Sequence, residues 1–267
     1  MRLRHFEVPM RRSTTKSLLP ALLLTLGSLP LIPSCADNNS SMFVVGVLAL
    51  DKSTCVAKAD STSAILAGGI MDVAFTQSYT GFVLVGNQLT ERGSREQLRT
   101  ETSRVALRGA EVTLTTLDGK VLGNYSTVGT GFVDASAGDV PAYAAMSVNI
   151  IPSALGGNED LLKALTVVAK IRVFGDTLGN IAVTSSELDF PIRVCKGCLV
   201  NYPTSAADPS VPVGSPYLCT TAASSTDTTN EAVPCIVGQD DSFACTACSA
   251  SLELCRDPSK NPSYGTP

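Results

Sequence analysis

Histidine is nearly missing from this chain and tryptophan is missing altogether: the one imidazole among 267 residues is His5. Beyond that position, Ser-His-Asp and Cys-His nucleophilic catalysis is excluded, because each needs an imidazole to take the nucleophile's proton. Catalytic zinc sites built on histidine ligands are excluded with it. Aromatic residues are scarce, at 5 %, and no glycine-rich phosphate loop follows a strand-like run. Both lacks count against an enzyme pocket of the usual apolar, aromatic-lined kind. Paired carboxylates or a Ser-Lys dyad remain open to the chain. Acidic residues are so many that spacing alone selects no pair. No catalytic residue, metal ligand or cofactor is therefore assigned.

What the chain does have, from its first residues, is basic charge and then a short apolar run. Arg2, Arg4, Arg11, Arg12 and Lys16 precede Ser17 to Leu29, and Leu31-Ile32-Pro33-Ser34-Cys35 follows. A positive start, an apolar middle and a small-residue cleavage site are the parts of a secretory signal peptide. A membrane-spanning helix wants about 20 uninterrupted apolar residues. This run is shorter and is cut by Pro20, Pro30 and Pro33. Its end resembles the lipobox of bacterial lipoproteins: aliphatic Ile32 stands three before the cysteine and small Ser34 just before it. Pro33, between them, departs from that pattern. The resemblance implies cleavage before Cys35 and acylation, palmitate included, of the thiol. It also implies outer-membrane residence, because Ala36 rather than Asp follows; which face of that membrane is left open. An ordinary cleaved signal with an incidental cysteine is the alternative. Met10, just before Arg11-Arg12, is an alternative start to Met1, and the residues after that arginine pair do not fit twin-arginine export.

Starting at Cys35, the chain has 233 residues with 15 positive and 23 negative side chains, a formal charge of −8. That balance argues against nucleic-acid partners and against electrostatic capture by anionic lipid. Besides Cys35 there are eight cysteines: Cys55, Cys195, Cys198, Cys219, Cys235, Cys245, Cys248 and Cys255. An even number in an exported chain reads as a disulfide set. Four bonds are expected, with Cys55 linked to the C-terminal extension or its Cys195-Cys198 neck. Eight cysteines allow 105 connectivities, so no further pair is named. Two CxxC pairs, Cys195–Cys198 and Cys245–Cys248, also have the form of a thiolate zinc site. The 46 residues between them far exceed the roughly 15–20 of compact zinc sites, so disulfides are favoured. A redox role for Cys195–Cys198 lacks the surrounding βαβ pattern.

Short strand-like runs separated by turn signals fill residues 42–194. Met42 to Leu50 is continuously apolar and reads as a strand buried on both faces. Asp51 to Thr54 is a turn. Asp72 to Thr76, Gly81 to Gln88, Val105 to Leu107 and Glu111 to Leu117 alternate or run apolar. Asp118-Gly119 marks a hairpin returning through Lys120-Val121-Leu122. Asn124 to Val133 and Ala142 to Ile151 follow, then a brief helix capped by Asn158 with acids in its first turn. Thr166 to Phe174 is a strand with Lys170 and Arg172 on one face. Ile181 to Thr184 and Leu188 to Val194 complete the set, Pro191 implying an edge position. Thr90 to Arg104 breaks the pattern: seven of its 15 residues are charged. Ser94 to Gln97 has the form of a capped helical turn. The segment reads as a solvated crossover, with Arg92, Arg95, Glu96 and Arg99 as candidates for contact with an envelope partner.

The expected fold is all-β, an antiparallel, immunoglobulin-like β-sandwich with a disulfide-rich irregular C-terminal tail. The expected divisions are a signal peptide (1–34), lipidated tether (35–41), sandwich (42–194), cysteine-rich extension (195–255) and disordered end (256–267). Residues 201–232 are too poor in large apolar side chains to order by burial alone, so covalent links are expected to replace a core. The strand pattern and cysteine-rich end resemble uncharacterised lipoproteins of myxobacteria, a likeness that implies no activity. The expected function is a non-enzymatic structural or recognition module held on the membrane by lipid. An accessory subunit of an envelope complex is the alternative, and a hydrolase using acidic residues a third.

Overall fold

The computed structural model describes residues 41–94, 96, 98–202, 233–248, 252–256 and 260–263. The expected signal peptide (1–34), Cys35, Arg95, Gln97 and Cys219 lie outside the described residues. Among the described residues no helix is long and apolar enough to cross a membrane.

Two sheets face each other. The first runs β2 (Ile65–Leu66), β1 (Met42–Leu48), β4 (Tyr79–Asn87), β7 (Ala142–Ile151). The second runs β3 (Gly69–Asp72), β10 (Leu188–Cys195), β8 (Thr166–Thr177), β5 (Val105–Thr116), β6 (Val121–Val133), with β9 (Ala182–Thr184) also on β8. In immunoglobulin terms, β1, β4 and β7 occupy the places of strands A, B and E, and β5, β8 and β10 those of C, F and G. β6 extends the second sheet as C′ does. The fold is all-β and sandwich-like, as the alternation implies.

Period-2 patterning makes the core. Val167, Ala169, Ile171 and Val173 of β8, Phe190, Ile192 and Val194 of β10, and Val112 and Leu114 of β5 point inward. They meet Val83 and Val85 of β4 and Met146, Val148 and Ile150 of β7, all essentially buried. Each such side chain contributes about 1.5–3 kcal/mol by leaving water. The opposite faces carry charge: Lys170 and Arg172 both reach Glu187, at 3.0 and 3.4 Å. The β5–β6 hairpin turns at Leu117-Asp118-Gly119, where Gly119 at φ +87° takes the left-handed position a three-residue loop requires. Asn158 caps α2 (Glu159–Lys163), accepting from Asp160 N, and a second short helix, α1 (Ser153–Gly156), precedes it. Tyr125 of β6 donates to the Ile150 carbonyl of β7, joining the edges of the two sheets.

Four expectations are corrected. Met42–Leu48 is not buried throughout: a bulge between Val44 and Gly46 turns Val45 out to solvent. Asp72 to Thr76 is no strand, because Asp72 ends β3 and its carbonyl accepts from Phe75 N and Thr76 N in a turn. β3 is parallel to β10, so the sheet is not wholly antiparallel. Pro191 lies inside the sheet: β10 has β8 on one side and β3 on the other. Proline fits because β3 pairs only from Ile192 onward, leaving that flank of Pro191 uncovered. Ser94 and Arg99 exchange backbone hydrogen bonds as a small antiparallel bridge; Arg95 and Gln97 of the expected capped turn lie outside the described residues.

The extension is not held by covalent links alone. β11 (Val200–Asn201) pairs in parallel with β12 (Phe243–Ala244). Leu199, Val200, Phe243, Cys245, Leu254 and Cys255 bury a second small core against Ile70, Ala74 and Phe75 of the sandwich. Leu254 and Cys255 belong to α3 (Glu253–Arg256). Nor is 256–267 wholly loose. Asn261, 5 % exposed, donates to the Gly197 carbonyl and to Tyr202 Oη, and Ser263 Oγ donates to the Lys196 carbonyl.

Candidate functional site

The sandwich has two chemically distinct ends. At one, β8 reaches Thr166 and β10 reaches Cys195, and the extension packs there. Cys195 and Cys198 are joined, as are Cys55 with Cys235 and Cys248 with Cys255. Cys245 is disulfide-bonded as well. Cys55 is thus tied to the extension, across 180 residues.

Asp72 organises the neck. It is fully buried, and its carboxylate accepts from Gly197 N at 2.7 Å, Leu199 N at 3.1 Å and Ala74 N at 3.1 Å. Gly197 belongs to the loop closed by Cys195–Cys198, and Leu199 follows it directly. Ligand atoms of Asp72, Cys195 and Cys198 all lie within 4.8 Å of one another. With the sulfurs bonded together and the carboxylate engaged by three N–H groups, the group offers structure rather than thiolate ligands.

A second latch joins residues 239–240 to the sandwich. Gln239 pairs with both backbone groups of Thr80, its Oε1 accepting from Thr80 N and its Nε2 donating to Thr80 O. Asp240, in a left-handed conformation at φ +60° that aspartate tolerates, accepts from Ile70 N at 2.8 Å and Tyr79 Oη at 2.9 Å. Burial pushes the Asp240 carboxyl above its ordinary range, against the pull of those donors. Burial, and then the Asp240 charge, push the Tyr79 phenol far upward, so it remains a donor. Beside this latch is a cavity of about 260 Å³ floored by Val47, Leu66 and Phe82. A larger groove of about 560 Å³ lies by the neck, between Leu162, Leu165, Arg193 and Lys196.

At the other end three loops are sewn together. Asn87, fully buried, donates through Nδ2 to the Ser103 and Asp134 carbonyls and accepts from Leu89 N. Leu178 N and Gly179 N of the β8–β9 turn donate to the Arg104 and Thr102 carbonyls, and Ser136 N donates to Leu89 O. Arg104 Nε lies 2.9 Å from Asp134 Oδ1, its guanidinium over the Phe132 ring. Glu101 accepts from Arg92 N at 2.9 Å, Gly93 N at 2.8 Å and Ser103 N. Burial alone would raise its carboxyl; the N–H groups of Gly93, Ser103 and Arg92 and the Ser103 hydroxyl hold it below the ordinary value. Arg92, Glu96 and Arg99 are exposed on this loop; Arg95 lies outside the described residues.

A folded-state carboxyl below its unfolded value contributes order above the unfolded value and loses it as pH falls through the folded one. Protection of the Arg92, Gly93 and Ser103 amides should therefore be full at neutral pH and fade below pH 4.5, the ordinary glutamate value. Hydrogen-exchange protection factors across this range check it. Glu101→Gln should abolish the pH dependence, and unchanged dependence in that variant would refute the assignment.

Residues missed from sequence are Asp72, Asn87, Gln239, Asp240 and Asn261. Each is a polar side chain that bonds backbone of a different segment. The one local signal was Asp72, a charge inside the apolar stretch Ile70 to Ala74. No protein-family model matches the chain, and no curated protein matches it.

Proposed function

We propose that the chain is an exported bacterial lipoprotein, anchored to the outer membrane through Cys35, whose sandwich is a non-enzymatic structural or recognition module. The observation that carries this reading is the state of the cysteines. Among the described residues every cysteine is disulfide-bonded, and such bonds persist in oxidising, exported compartments. The leader ending at Cys35 supplies the route and the anchor. The polar groups buried at the two latches are engaged in holding segments together, which suits a scaffold more than a catalyst. Cys35→Ala should move the protein from the membrane to the soluble fraction. One acyl chain holds marginally and two or more hold firmly, so the shift should be nearly complete. Unchanged membrane association of the variant would overturn the reading.

A further inference from the structure

We infer that the end of the sandwich bearing the 88–104 loop rests on the lipid bilayer, with Leu98 and the β8–β9 turn as its contact, and that the disulfide-rich end points away. This rests on the lipid anchor proposed above and adds an orientation to it.

Chain geometry carries the inference. β1 begins at Met42, opposite Asn87, and Gln88 N donates to the Ser41 carbonyl. The tether therefore joins the sandwich at the loop end. Five residues lie between Cys35 and Ser41, and the six steps at ~3.3–3.6 Å each span at most about 20 Å. β8 has 12 residues and, at ~3.3 Å each, places the Thr166 and Cys195 end about 40 Å further on. An inverted domain would need a tether twice as long.

The surface has the composition of an interfacial contact. Leu98 is 92 % exposed at the loop tip, and Val140, Leu178 and Ile181 are 66, 50 and 63 % exposed on the loops bonded to it. Exposed apolar residues such as Leu165 also occur at the far end, so exposure alone does not choose; attachment does. From Thr90 to Arg104 there are four arginines and three glutamates, a slight positive excess in a chain of net charge −4. The contact is apolar rather than electrostatic, strengthened because the tether keeps the loop at high local concentration over the bilayer.

The absence of tryptophan provides the test. Lipidated full-length protein carrying Leu98→Trp, Ile181→Trp or, as far-end control, Leu162→Trp is reconstituted into phosphatidylethanolamine–phosphatidylglycerol vesicles brominated high on the acyl chains. Interfacial apolar groups sit ~5–10 Å into the headgroup–acyl boundary, so Leu98→Trp and Ile181→Trp emission should fall to about half or less. Leu162→Trp emission should be unchanged. Circular dichroism identifies any variant that misfolds, and either loop variant suffices. Protein that fails to sediment with the vesicles overturns the anchor and this inference together. Protein that sediments with its loop tryptophans unquenched overturns the orientation alone and leaves that end to a protein partner.

Discussion

Replacing Cys55 and Cys235 together by alanine is expected to lower the unfolding free energy by about 5 kcal/mol, the chain-entropy value for so long a closed loop. The bond spans 180 residues, against 3 for Cys195–Cys198 and 7 for Cys248–Cys255. Opening Cys195–Cys198 should cost only about 2 kcal/mol on the same relation. Denaturant unfolding of the variants, with the remaining bonds kept oxidised, measures both. A loss below about 2 kcal/mol for the Cys55–Cys235 pair would mean that the unfolded chain is already compact, or that the Gln239 and Asp240 latch does the joining unaided.

Asp72→Ala is expected to cost about 3–5 kcal/mol, because it strands the buried Gly197 and Leu199 amides and each such donor costs about 1–3 kcal/mol. Asp72 is fully buried, and the amides it engages lie away from bulk solvent. Asp72→Asn keeps one acceptor oxygen and should lose less. The effect should couple to opening of Cys195–Cys198, since both act on one loop, and a double-mutant cycle would give an interaction energy of about 0.5–3 kcal/mol. Proteolysis should begin near Lys196. An Asp72→Ala protein within about 1 kcal/mol of the parent would show that the neck is held by packing instead.

Legibility in the sequence followed the range of the determining contact. The β5–β6 hairpin was readable because Asp118-Gly119 sets its own turn, and α2 because Asn158 bonds Asp160 two residues on. β7 was readable to its last residue because alternation and burial agree there. The sandwich class followed from adding such local signals. What escaped depends on residues far away. β3 is four residues long and exists as a strand because β10, some 120 residues later, lies beside it. Pro191 reads as an edge until the length of β3 is known. The order of the 92–103 loop is set by Glu101, which gathers the Arg92, Gly93 and Ser103 amides, and by Arg99, which closes the bridge to Ser94. Lys260 to Ser263 looks loose by composition, yet Asn261 is buried by partners at Gly197 and Tyr202. The proposed anchor, Cys35, is written locally, whereas the position of the 88–104 loop at the start of β1 is defined by pairing between Met42 and Asn87.

The parallel pairing of β3 with β10 also fixes an order of events in folding. An early strand that completes its sheet only with the last one must wait for loop closure over most of the domain, and topologies of such high contact order fold slowly, on the ms–s scale. On the proposed export route the first half of the sandwich therefore emerges with one flank of its second sheet unmade. Cys55 waits longer still. Cys195, Cys198 and Cys219 all follow it in the chain before its partner Cys235 arrives. Bonds formed strictly in order of emergence would join Cys55 to Cys195 and leave Asp72 facing a neck it cannot close. Thiol–disulfide exchange, rather than first-come oxidation, is thus the step on which the native disulfide set depends.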